Sequence, residues 1–156
     1  MPTTVQSRQR NTYRVIDRYE RDAADYITCV GLPFGAAPTG ISRAGLSRVC
    51  ALKTETSTAG QGRFFADERI VSRSEVQAPE SVRHDEARLT LDYPEDLAFF
   101  EAVFDELGLE RNDASLERIV RLLRDKPELV AINGGLQEEY WRRFNELYPP
   151  VELASS

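Results

Sequence analysis

Three carboxylates stand within five residues of the stretch R-L-T-L-D-Y-P-E-D-L, Arg88 to Leu97: Asp92, Glu95 and Asp96. Carboxylates this close together either hold a cation or open a helix. Pro94 suits a first helical position, where its φ is preset and no hydrogen bond is lost. Glu95 and Asp96 would then lie in the first turn and face the positive end of the helix dipole, worth about 0.3–1 kcal/mol each. Helix-start chemistry therefore accounts for Glu95 and Asp96. Asp92 is different. It closes the alternating run from Arg88 to Leu91 and so sits at the carboxyl end of a predicted strand, where open α/β sheets bind ligands. Two roles fit it: the helix N-cap, or a ligand to Mg²⁺, which takes one or two protein carboxylates and completes its shell with water and phosphate oxygens.

Other residues with chemical potential stand alone. Arg63, in G-Q-G-R-F-F beside Phe64 and Phe65, suits either a bidentate grip on a sugar carboxylate or phosphate or an ordinary place in a surface loop. His84 is the single histidine and lies among Arg83, Asp85 and Glu86. With no paired nucleophile it suggests no triad. Cys29 and Cys50 are too far apart for a CxxC motif, and no further cysteines complete a zinc set. They read as small buried apolar residues of a reduced, cytoplasmic protein. Gly35 and Gly40 read as backbone-geometry positions. Tyr140, Trp141 and Phe144 form a helical aromatic stripe suited to core or partner packing ahead of base stacking.

The elements that must position these groups follow from periodicity. Residues 1–11 are polar and unpatterned and are expected to be a disordered tail. A short helix is predicted from Tyr13 and a strand over 24–30. A loop rich in glycine and proline follows, then a helix from Ile41 to Lys53 with Ser42 as its N-cap. Beyond a polar loop, T-E-T-S-T-A-G-Q-G, strands are predicted at 69–77 and at Arg88 to Leu91. Three helices then run from Pro94 to Leu107 with Gly108 as C-cap, from the N-cap Ser115 to about Asp125 where Pro127 stops it, and from the N-G-G at 133–135 onward. Residues 149–156 are expected to be a flexible tail, leaving 12–148 as a single partial domain.

The chain of 156 residues, 41% hydrophobic and 29% charged, has the composition of one soluble globular domain. Its net charge of −6 argues against a general nucleic-acid binder. No apolar run reaches the length of a membrane span, and the start M-P-T-T-V-Q-S-R-Q-R has no secretory h-region. The predicted fold class is α/β with few strands and a helical C-terminal region. About three short strands are fewer than a self-sufficient α/β sheet normally has, so the chain is expected to be part of a larger fold.

Several stretches, taken in order, resemble the cytidylyltransferase family related to spore coat polysaccharide biosynthesis, and more distantly the enzymes that make CMP-activated keto-sugars. They are A-D-Y-I-T-C at 24–29, P-T-G-I at 38–41, L-S-R-V-C-A-L-K at 46–53, G-R-F-F-A-D at 62–67, R-L-T-L-D-Y-P-E-D-L, P-E-L-V-A-I-N at 127–133 and E-E-Y-W-R-R-F-N at 138–145. The resemblance covers roughly residues 13–147. It implies the C-terminal part of a Rossmann-like nucleotide-sugar transferase sandwich. It implies transfer of CMP from CTP to an acidic or modified sugar in surface polysaccharide biosynthesis, with Mg²⁺ in the complete enzyme and Asp92 matching one of its two aspartate ligands. The family's opening strand, its Gly/Arg/Lys-rich phosphate loop and the partner aspartate have no counterpart here, and Tyr93 stands where Thr is usual. The expectation is therefore the C-terminal half of such an enzyme, inactive without a separate N-terminal half, and acting on CTP and sugar only when complete. The alternative is a non-catalytic interaction module that pairs an open sheet edge with another chain or with a second copy of itself. Neither reading involves nucleic acid or a membrane.

Overall fold

The computed structural model describes residues 4–53, 59–108, 114–149 and 151, with side chains from residue 10 onward. Residues 54–58 of the polar loop expected over 54–62, and residues 150 and 152–156 of the tail expected over 149–156, lie outside the described residues. The chain begins with helix α1, Thr4–Asp22. This helix takes in residues 4–11, which lack the apolar periodicity that would announce it. An Arg18–Asp22 pair one turn apart supports its last turns. Ala23 ends the helix in the left-handed region at φ 49°.

Strands β1 (Tyr26–Val30), β2 (Thr39–Ile41) and β3 (Arg73–Gln77) form a sheet of order β2-β1-β3. β2 pairs antiparallel with β1, and β3 pairs parallel with it, Tyr26 facing Arg73 and Thr28 facing Glu75. The chain therefore mixes helix and strand with a small, mixed sheet. Two departures from expectation stand out. The Gly/Pro-rich stretch supplies β2, and the run from Arg88 contributes only a single parallel bridge, Phe34 to Arg88.

Alternation in β1 divides the sheet into two faces. Ile27 and Cys29 are buried against α1, where they pack with Val15, Ala24, Leu32, Ala78 and Val82. Tyr26 and Thr28 point to the opposite face, with Arg73 beside Tyr26. Burial raises the thiol of Cys29 above its ordinary range. Cys50, expected inside, is exposed, because α2 (Arg43–Leu52) turns Val49 inward and its neighbour outward.

Ser42 caps α2 as its sequence suggests, accepting from the Gly45 N–H at 2.8 Å. Its hydroxyl also donates to Asp25, whose carboxylate further accepts from the backbone and hydroxyl of Ser72 and from Arg48. Asp25 thus ties the start of β1 to α2 and to the approach to β3. Burial alone would raise its pKa, but these donors outweigh burial and lower it. The short helix α3 (Gly62–Ala66) buries Phe64 and Phe65 with Val49, Ile70 and Val71.

The C-terminal half is helical: α4 (Pro94–Leu107), α5 (Leu116–Asp125), α6 (Pro127–Val130) and α7 (Leu136–Leu147). Gly108 ends α4 at φ 58° and Ser115 caps α5. Phe99, Val103, Ile119, Leu123 and Leu129 form the shared core. The inward face of α4 is Asp96, Phe99 and Val103, whereas Leu97 and Phe104, apolar residues at helical spacing, lie outside. The helix is rotated so that a carboxylate enters the core. α7 buries no residue fully.

Candidate functional site

The carboxylate that enters the core meets Arg88, the largest fully buried side chain among the described residues. Asp96 Oδ1 accepts from Arg88 Nε at 2.9 Å and from Asn133 Nδ2 at 2.9 Å. Oδ2 accepts from Arg88 Nη2 at 3.1 Å and from the backbone N–H groups of Asp92 at 2.9 Å and Tyr93 at 3.1 Å. Burial pushes the Asp96 carboxyl up, but the Arg88 guanidinium and the other donors prevail and hold it at about 2. Asn133 also donates to the Arg88 carbonyl at 3.2 Å, which locks the turn after α6 onto the same centre. The guanidinium carbon of Arg88 lies 5.4 Å from the rings of Phe34 and Tyr93 and 5.6 Å from that of Tyr140. A desolvated cation gains from such ring faces. Through Tyr140 this centre also fixes α7, whose Trp141 meets Phe34 edge-on at 5.8 Å.

Asp92, the residue singled out for metal, stands at the rim of this centre. Its side chain is 52% exposed and accepts from Arg88 Nη2 at 2.8 Å. Tyr93, not Asp92, is the N-cap residue of α4. These residues do not fit a Mg²⁺ ion. Asp92 already answers a guanidinium, and Asp96 has its acceptor capacity filled by five hydrogen bonds. Among the described residues no group of three His, Cys, Asp or Glu side chains is placed to hold a metal.

Arg63 belongs to a second place. A groove of about 950 Å³ lies over the open face of the sheet. Its floor is Tyr26, Thr28 and Arg73. One wall is Gln61, Arg63, Asp67 and Glu68, and the other is Tyr140, Trp141, Phe144, Asn145 and Tyr148. Arg63 donates to the Pro149 carbonyl at 3.1 Å and lies over the Phe64 ring at 5.1 Å. Asp67 is held by Arg69, whose guanidinium keeps that carboxyl at about 2. Arg73 meets only the ring of Tyr26, at 5.9 Å, and forms no ion pair among the described residues. Nothing in R-S-E-V-Q sets Arg73 apart from any outward strand residue, so the sequence reading passes over it. The aromatic stripe divides its work: Tyr140 packs on Phe34 at 5.4 Å, while Trp141 keeps 43% of its surface exposed.

His84 lies half-buried in its loop, with its backbone N–H on the Gly31 carbonyl at 2.9 Å. Gly35 sits at φ 89° with the Leu89 carbonyl oxygen 2.8 Å from where a Cβ would stand. Both left-handed backbone and close approach require glycine there. No family model, no curated protein and no solved structure matches the chain.

Proposed function

We propose that the chain is the sugar-binding part of a cytidylyltransferase-like nucleotidyltransferase on a Rossmann-like framework. In this reading the groove over the sheet holds an acidic or modified sugar. A hydroxyl oxygen of that sugar bonds to the α-phosphorus of CTP as pyrophosphate departs. The observation that carries the reading is the groove itself: Arg63, one of whose two sequence readings is a grip on a sugar carboxylate or phosphate, shares it with Arg73, with amide side chains and with an aromatic wall. Aromatic faces suit the apolar side of a sugar ring, amides suit its hydroxyls, and guanidinium groups suit its acid. The ordered motifs from residue 24 to 145 give the reading its further support. The phosphates of CTP would be held by a Gly/Arg/Lys-rich segment other than these residues, so the chain alone is expected not to turn over.

Titration of the ¹⁵N-labelled chain with KDO-type and nonulosonic sugars tests this. Shifts are expected at 26–28, 61–68 and 140–148; shifts confined to other surfaces would sink the proposal. Incubating the chain with CTP, Mg²⁺ and the same sugars should release no pyrophosphate, and release at an enzyme-like rate would overturn the need for a second segment.

A second reading, an interaction module, is favoured by the β2 edge. Ile16 and Tyr19 of α1 and Ile41 of β2 are 44–46% exposed around it, and a strand added there would cover them. Sedimentation across a wide concentration range decides: a strict monomer speaks against self-pairing at that edge.

A further inference from the structure

Resting on the sugar-binding reading, we propose that the groove takes an anionic oligosaccharide at least two rings long, with Arg73 holding an acid group and Trp141, Phe144 and Tyr148 forming the platform.

Size is the first argument. At about 950 Å³ the groove lies at the upper end of the range for ligand sites and is large for one sugar ring. The platform is also longer than one ring. Trp141, Phe144 and Tyr148 all line the groove, the first two on α7 and Tyr148 as its C-cap residue. From Trp141 to its end at Leu147 the helix rises about 9 Å, and Tyr148 follows directly. The rings meet one another, Trp141 edge-on to Phe144 at 5.6 Å and Phe144 tilted at 49° to Tyr148 at 5.1 Å, so the aromatic wall is unbroken but stepped, one ring face or edge after another.

Charge is the second. Arg63 is engaged by the Pro149 carbonyl and the Phe64 ring, and Asp67 by Arg69. Among the described residues Arg73 has the Tyr26 ring as its side-chain contact and no ion pair, and its planar fork suits a carboxylate. The density of charge on the ligand is bounded as well. The chain carries −6, and Glu68 lines the same groove. A polyphosphate backbone would meet too few cations here, whereas a glycan with one carboxylate per ring or fewer would not be repelled to the same degree.

Calorimetric titration of the full chain with galacturonate, trigalacturonate, maltotriose and a uridine trinucleotide tests the proposal. Trigalacturonate is expected to bind about tenfold or more tightly than both galacturonate and maltotriose. Arg73→Gln should erase the advantage over maltotriose, and Arg73→Lys should restore part of it. Trp141→Leu should erase the advantage over galacturonate while circular dichroism stays unchanged. Equal binding of one and three rings overturns the proposal and leaves the proposed function standing. Trigalacturonate binding without any groove response to KDO-type sugars does the reverse. Tighter binding of the trinucleotide, or no binding by any probe, overturns the proposal as well.

Discussion

A carboxylate that accepts hydrogen bonds from Arg88, Asn133 and two backbone N–H groups is doing more than starting a helix. Removing it would leave Arg88 charged inside the molecule with only the half-exposed carboxylate of Asp92 to answer it. Asp96→Ala is therefore expected to cost about 3–5 kcal/mol in urea unfolding, against about 1 kcal/mol for a first-turn carboxylate in solvent. A loss near the lower figure would mean that Arg88 finds water or another partner. The pH dependence has a definite sign. The folded chain holds the Asp96 carboxyl at about 2, below its ordinary 3.8. Its contribution to stability is then complete above the ordinary value and is lost as the pH falls toward 2. Asp25 and Asp67 shift the same way, so the test is the difference between the wild type and Asp96→Asn. The wild-type urea midpoint should fall more steeply through this window than that of the variant.

The elements show why some of this was legible and some was not. Local chemistry announced itself: Ser42 and Ser115 cap their helices, Gly108 closes α4, and Pro94 and Pro127 mark boundaries. These signals depend on neighbouring residues only. β2 was hidden because its three residues hold their place by pairing with β1, and no alternation in T-G-I reveals that. The rotation of α4 was hidden for a similar reason. Leu97, Phe100 and Phe104 make a good apolar stripe, yet the stripe gives way to a buried arginine supplied by an earlier segment. Asp92 and Asp96 exchanged their expected standing because burial, and not residue type, separates a surface ion pair from a core one. Two substitutions test the element boundaries. Ala23 sits at φ 49°, a conformation that costs an L-residue about 1 kcal/mol, so Ala23→Gly should raise the unfolding free energy by roughly that amount. Gly45 lies within α2, where alanine would ordinarily gain about 1 kcal/mol. A Cβ there would stand 2.8 Å from the Asp25 Cβ and 3.2 Å from the Ser42 hydroxyl, and Asp25 is pinned by its own donors. Gly45→Ala should therefore lower the melting temperature, with a cost of about 1–3 kcal/mol. A rise in melting temperature would show that α2 can move away from β1.

At the scale of the whole molecule the parts are unequally fastened. α4 and α5 share a closed apolar core, whereas α7 buries no residue fully and is attached through Tyr140, Trp141 and the cation of Arg88. Regions with few buried contacts open at lower free energy than the core. The amides of 136–147 are expected to exchange with deuterium well before those of 97–107 and 116–125. Comparable protection in all three helices would contradict this order. α7 is also one bank of the groove. What fills the channel must therefore brace the loosest beam of the structure, and the brace should be readable as delay: a saturating ligand slows exchange in α7 and leaves α4 and α5 at their own pace. Occupancy of the site and the fraying of this helix become one measurement, in which the clock on a dozen amides reports what the groove contains.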